Sequence, residues 1–264
     1  MKLLTWNVNG IRARQPQLQD LLAAEQPDIV CLQEIKASPE QVPELLVSPE
    51  AYWSYWHGSG GYSGVALLVR RLFAPARPDF SHPHFDLEQR IVVADLPRIR
   101  IASVYVPNGG KDYEAKMRFL KALVQWASEM HASSGALVVC GDLNVAREER
   151  DVHPKERKPN QIGTRPDERD LLGRLMGAGL TDVGRALDPT NDNLFTWWAP
   201  WRNLRQRNIG WRIDYILASQ PIAGAATAST SMREFGTSDH APVLIHFDLD
   251  GPSAPPGPGR EPPL

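Results

Sequence analysis

"LVVCGDLNVA", residues 137–146, runs four apolar residues together and then delivers a carboxylate and an amide, Asp142 and Asn144. The apolar half reads as a buried strand. Polar groups at its end stand on the rim of an apolar core, where an unpartnered charge is costly. The arrangement recurs. "LLTWNVNG" sets Asn7 and Asn9 after Leu3 and Leu4, and "DIVCLQE" ends in Gln33 and Glu34. "WRIDYILAS" embeds Asp214 between Ile213 and Tyr215, and "GTSDHAPVLIHF" puts Asp239 and His240 just before Val243, Leu244 and Ile245. Singly, each is an ordinary turn or loop residue. Together they point to one place, because strand ends gather along one edge of a sheet. Crowded carboxylates repel unless a cation or a protonated His joins them. Oxygen donors without a Cys/His pair at zinc spacing select a hard ion, Mg²⁺ or Mn²⁺.

Working outward, strands alternate with helices. "KLLTWNV" and "PDIVCLQE" are expected to flank a helix whose first turn holds Pro16 and whose one face carries Leu18, Leu21 and Leu22. "GVALLVR", "RIVVADL" and "RIRIASVYV" follow without helical spacers and are expected as antiparallel neighbours. A helix is expected from about Tyr113 to Met130, and another opens near Arg165 and Pro166, carrying Leu171, Leu172 and Leu175. "WRIDYILAS", a segment near Ala223–Ser231 and "APVLIHFDL" complete the strands. The mixture implies an α/β fold of two packed mixed sheets with helices outside. No linker divides residues 1–250, expected as a single domain. The last stretch, 251–264, has six prolines in fourteen residues and is expected to be a disordered tail.

With 42% hydrophobic and 23% charged residues the composition is that of an ordinary globular protein. There is no signal-peptide pattern, and no apolar run nears the ~18 residues a membrane span requires. Cys31 and Cys140 sit in apolar runs and read as buried free thiols, which suggests the cytoplasm. A net charge of −2 gives no general attraction to polyanions. One interval differs. Between Asp192 and Asp214 there is no acid, while Arg202, Arg205, Arg207 and Arg212 interleave with Trp197, Trp198, Trp201 and Trp211, a mixture suited to bases and phosphates. His82 and His84, in "SHPHFD", hint at a transition metal but read as an ordinary loop.

"TWNVNGIRAR", "LQEIK", "GYSGVALLVR", "YVPNGG", "CGDLNVA", "GWRIDYIL" and "SDHAPV", in this order from Met1 to about Asp248, resemble the exonuclease III family of apurinic/apyrimidinic endonucleases. That family belongs to the endonuclease/exonuclease/phosphatase superfamily with deoxyribonuclease I. The resemblance implies a four-layer α/β sandwich. It also implies a Mg²⁺-dependent nuclease that cuts duplex DNA 5′ to abasic sites, with 3′-phosphodiesterase and 3′→5′ exonuclease activity. On this likeness Glu34, with Asn7 and Asp239, would hold the metal. Asp142, fixed beside Asn144, would orient or deprotonate water, and His240, paired with Asp214, would bind a nonbridging phosphate oxygen; whether Asp142 or His240 supplies the base stays open. Tyr105 would donate to the scissile phosphate or help the leaving oxygen. Asn108, Lys111, Gly61, Tyr62 and Arg90 match DNA-contacting positions, and Trp197 and Trp211 match the apolar pocket for a base-less sugar. Asn9 stands where some relatives carry Asp, which removes one negative charge from the metal site.

The expected partner is double-stranded DNA with abasic sites or blocked 3′ ends, bound by a monomer away from membranes. Two rivals are carried beside it: a phosphatase or lipid phosphodiesterase of the same superfamily, and a catalytically silent DNA-binding module. The Trp/Arg interval counts against the first and the complete polar set against the second.

Overall fold

The computed structural model describes residues 1–134 and 136–249; the expected tail lies outside them. Among the described residues, twelve strands form two six-stranded mixed sheets. The first contains β1 (Lys2–Asn7), β2 (Ile29–Gln33), β3 (Tyr52–His57), β4 (Val65–Arg70), β11 (Ala226–Ser231) and β12 (Val243–Phe247), in the order β11-β12-β1-β2-β4-β3. The second contains β5 (Asp79–Ser81), β6 (Ile91–Leu96), β7 (Ile99–Tyr105), β8 (Leu137–Asp142), β9 (Leu180–Asp182) and β10 (Asp214–Ser219), in the order β5-β6-β7-β8-β10-β9. Each sheet has one parallel pair, β1 with β2 and β7 with β8. Each parallel pair is connected through a long helix, Ile11–Glu25 in the first sheet and Tyr113–Ser134 in the second, as parallel neighbours require.

The apolar runs explain the layering. Side chains alternate across a strand. Val138 and Cys140 therefore enter the core between the sheets with Cys31, Leu67, Ile101 and Ile245. Leu137 and Val139 turn outward beneath Leu120, Leu123, Leu172 and Leu175 of the covering helices. β1 and β2 do the same: Leu3 and Ile29 face inward, while Leu4, Trp6, Val30 and Leu32 pack with Leu18 and Leu21 of the first helix. Strands apolar on both faces belong to the middle of a four-layer α/β/β/α sandwich.

Three expectations are corrected. Pro16 lies inside the first helix, which already starts at Ile11; the Gly10 and Ile11 amides donate to the Glu34 and Ile35 carbonyls, so tertiary bonds set the start. "GVALLVR" does not pair with "RIVVADL": β4 joins β2 and β3 in one sheet, while β6 and β7 form a hairpin in the other. β3, β5 and β9 were not read from the sequence, since two are only three residues long and the third, "YWSYWH", is aromatic without clean alternation.

β12 is antiparallel to β1, and β10 to β8. The starts of β10 and β12 therefore lie beside the ends of β1, β2, β7 and β8. Asn7, Gln33, Tyr105, Asp142 and Asp214 thus open on the same edge of the sandwich.

Candidate active site

Local backbone geometry aims the site residues. Gly141 has φ 135°, and a Cβ there would stand 2.0 Å from the Val104 carbonyl oxygen and 2.9 Å from Gln33 Nε2. Only glycine lets β8 approach β7 this closely and set Asp142 beside Tyr105, its register partner. Asn9, Glu34 and Asn144 adopt φ of 45°, 49° and 52°. Left-handed backbone is uncommon outside glycine and gathers where function over-determines geometry.

The polar groups form one network. Asn7 Nδ2 donates to Glu34 Oε1 and to Asp142 Oδ2, each at 2.9 Å. The Asn144 backbone N–H donates to Asp142 Oδ1 at 2.9 Å, while its side chain donates to the Val106 carbonyl at 2.9 Å and to Asp142 Oδ2 at 3.2 Å. Asp142 Oδ2 lies 3.8 Å from His240 Nε2, and His240 Nδ1 lies 2.9 Å from Asp214 Oδ2. Asp239 accepts from Asn9 Nδ2 at 2.8 Å and Trp197 Nε1 at 2.9 Å. The Lys36 ammonium closes the chain, 2.8 Å from Glu34 and 2.6 Å from Asn9 Oδ1.

Charge is unevenly matched here, and the proton affinities follow. Burial works against the His240 imidazolium, but Asp214 and Asp142 outweigh it and raise its pKa to about 10. Asp142 is pushed up to about 7 by burial; His240 opposes the rise, and Asp214 and Glu34 reinforce it. Burial also acts to raise Glu34, yet hydrogen bonds from Asn7 and Lys36 carry it below the ordinary carboxylate value. Asp239 is likewise lowered, by His240, Trp197 and Asn9 against burial. Burial and the carboxylates of Glu34 and Asp142 drive the Tyr105 phenol far upward, so it stays protonated and donates.

A divalent ion fits this donor set. One ligand atom from each of Glu34, Asp142 and His240 lies within 4.8 Å of the others. With His240 held as an imidazolium, the oxygens that could take an ion are carboxylates, and Glu34 and Asp239 are the two kept below the ordinary carboxylate value. Asp239 joins through Asn9 rather than within that tight group. The Asn7 amide turns its NH₂ toward the two carboxylates and its oxygen toward the Asn9 N–H, 3.0 Å away.

The remaining candidates fall into two surfaces. Tyr62, 54% exposed, has the cationic groups of Lys111 and Arg90 5.9 and 5.3 Å from its ring. Gly61 is exposed beside it. Arg90 departs from the expected DNA contact: at 1% exposure its guanidinium is taken up by Glu88, the Tyr62 hydroxyl and the face of Tyr105. Asn108 is exposed and folds its loop by accepting the Gly110 N–H. On the other side Trp197 is half-buried, edge-on to Trp211 at 6.0 Å and tilted against His240 at 6.4 Å. Trp211, 6% exposed, backs it.

The basic interval is also corrected. Arg212 is buried against Asp151 and Asp182, and Arg205 donates to the carbonyls of Arg233, Phe235 and Ser238, bracing the segment before Asp239. Arg202 and Arg207 are the two that remain exposed.

Sequence reading missed three supports. Thr196 Oγ1 donates to Asp214 Oδ2 at 2.6 Å and accepts the Ile213 and Asp214 amides. Lys116, fully buried with Glu168, donates to the Asn144 carbonyl at 2.8 Å. Lys36 was visible in "LQEIK", but its pairing to Glu34 was not; the other two are separated from their targets by long stretches of chain.

Comparison with known proteins gives a consistent picture. The model of the Endonuclease/Exonuclease/phosphatase family matches residues 4–240. The chain is 32% identical over 256 residues to the exodeoxyribonuclease of Bacillus subtilis, covering 94% of this chain and all of that one. It is also 32% identical to Recombination repair protein 1 of Drosophila melanogaster, over 94% of its own length but 37% of the fly protein's. Among solved structures, a variant of the 3′ phosphatase NExo from Neisseria bound to product DNA hairpin superposes with TM-score 0.87 at 31% identity, covering 94% of this chain and 99% of that one. An AP endonuclease from Archaeoglobus fulgidus gives TM-score 0.84 at 30% identity, with the same coverage.

Proposed function

This chain belongs to the endonuclease/exonuclease/phosphatase family, in its exonuclease III group of DNA repair nucleases, and we propose that it hydrolyses the phosphodiester 5′ to abasic sites in duplex DNA, with 3′-phosphodiesterase and 3′→5′ exonuclease activity. One observation carries the reading: Asp142 is held by Asn7 and Asn144 while 3.8 Å from a His240 that Asp214 locks from behind.

Hydrolysis of a phosphodiester needs a base for water, relief of anionic charge and help for the departing 3′ oxygen. Asp142, raised to about 7, is basic enough near neutrality to take the water proton. Two amide groups fix its carboxylate, so little reorganisation accompanies the transfer. His240 is an imidazolium at that pH, and its Nε2–H can donate to a nonbridging phosphate oxygen. Asp214 holds the ring orientation, and Thr196 holds Asp214. Tyr105, kept as a phenol, offers a second donor. A bound Mg²⁺ or Mn²⁺ would neutralise phosphate charge and stabilise the leaving oxygen; Glu34 and Asp239, oriented by Asn7 and Asn9, would hold it. A sugar lacking its base could enter beside Trp197, whose aromatic wall would exclude an intact nucleotide. Tyr62 and Lys111 would meet the backbone on the opposite side.

The test is a duplex containing one tetrahydrofuran abasic analogue. A single incision 5′ to the analogue, abolished by chelator, is expected. Intact duplex together with removal of a 3′ phosphate from a nicked strand would replace endonuclease by 3′-end cleaning, the activity named for the Neisseria relative. Cleavage of an inositol phosphate with both DNAs untouched would hand the site to the phosphatase reading.

A further inference from the structure

β3 and β5 are edge strands, one in each sheet, and their aromatic side chains meet across the sandwich. Tyr55 stacks on Phe80 with ring centroids 5.5 Å apart, and two residues further along each chain His57 stacks on His82 at 4.3 Å. Beneath the second pair lies Asp86, whose Oδ2 is 3.0 Å from His57 Nε2. One ligand atom from each of His57, His82 and Asp86 falls within 4.8 Å of the others. Burial is graded: Asp86 is buried, His57 partly so, and His82 exposed.

We propose that these three residues form a second cation site, chemically distinct from the oxygen-rich one, for a borderline divalent ion of the Zn²⁺ class. Two imidazoles and one carboxylate match a three-ligand zinc set with a fourth position for water. The anionic anchor is rigid. Asp86 Oδ1 accepts the Arg90 N–H at 2.7 Å and Oδ2 accepts the Ile91 N–H at 3.0 Å, which leaves lone pairs of the carboxylate toward His57. His82 takes no side-chain hydrogen bond among the described residues and is free to turn a nitrogen inward. His84, edge-on to Phe85 and outside the group, takes no part.

The ion has a structural purpose. Segments 57–63 and 86–90 are already stitched together: Ser59 donates to Gln89 at 3.0 Å, Ser63 to the Glu88 carbonyl, and Arg90 to the Tyr62 hydroxyl at 2.8 Å. A cation held by His57, His82 and Asp86 closes the far end of that seam. The near end is Arg90 lying on Tyr105. The ion therefore clamps the wall that supports the phenol without touching the reacting groups.

Chelator-stripped full-length protein is titrated with Zn²⁺ in excess Mg²⁺ by calorimetry, alongside His82→Ala and Glu34→Gln. Wild type and Glu34→Gln are expected to bind one more Zn²⁺ than His82→Ala, or to bind it more tightly by at least the ~10-fold that even outer-shell partners contribute. Co²⁺ in place of Zn²⁺ should give a d–d absorption band that His82→Ala lacks and Glu34→Gln keeps. Equal Zn²⁺ binding by wild type and His82→Ala, or loss of the ion in Glu34→Gln alone, overturns the proposal. None of these readouts depends on incision of DNA.

Discussion

Two buried charge clusters lie close along the chain and behave oppositely. Around Arg212, two arginines (Arg185 and Arg212) meet two carboxylates (Asp151 and Asp182), every one of them within reach of an opposite charge. Around His240, four carboxylates (Glu34, Asp142, Asp214 and Asp239) share one imidazole and one ammonium, Lys36. The first cluster is closed: its ions neutralise one another and only hold elements together. The second carries a surplus of negative charge, which leaves the set ready for a further cation, while burial, reinforced by Asp214 and Glu34 against His240, raises Asp142 into the neutral range. Matched burial serves stability; mismatched burial serves chemistry.

The contrast can be broken experimentally. The largest effect is expected from Asp142→Asn, which should reduce abasic-duplex incision by ~10²–10⁴-fold, the usual worth of a positioned base, while a DNA-binding measurement stays near wild type. An equal loss of binding would place Asp142 on the structural side. Arg212→Ala strands Asp182 in the core and leaves Asp151 with Arg185 alone, and should cost about 3–5 kcal/mol, read as a lower urea midpoint. If it left the midpoint unchanged but abolished incision, the closed cluster would be catalytic after all. Thr196→Val sits between the two. It leaves the Ile213 and Asp214 amides unpaired and Asp214 unanchored, with about 1–3 kcal/mol lost and a lowered kcat at constant KM, because the His240 ring is no longer held.

The smallest effect is a pH slope. His240 is raised to about 10, from an ordinary value of about 6.5. Between those values the native protein keeps a proton that the unfolded chain releases. The stabilisation is therefore fully present below ~6.5 and is lost as pH rises through ~10. Melting temperature in chelator should fall across pH 7–10 in wild type and fall less in His240→Asn. Parallel slopes would remove His240 from the charge account.

Much of the site is legible because short motifs report on themselves. "CGDLN" shows an apolar strand meeting Asp142 and Asn144, and "SDH" places Asp239 and His240 ahead of another. What they hold stayed hidden where partners are remote. Thr196 reaches Asp214 across eighteen residues, and Lys116 reaches the Asn144 carbonyl across twenty-eight. Arg90 and Arg212 were misread as surface cations because charge in a sequence does not reveal burial. Arg90 lies under Tyr62 against Tyr105, and Arg212 beneath the very segment that seemed most suited to DNA.

By itself the sequence determined that this chain makes two-faced apolar strands and ends them in carboxylates and amides, since periodicity and residue type are local properties. Only the tertiary structure decided which charges cancel and which accumulate. That outcome depends on distances between elements far apart in the chain, and in a low-dielectric interior a few ångströms separate an ion pair from a site with a shifted proton affinity.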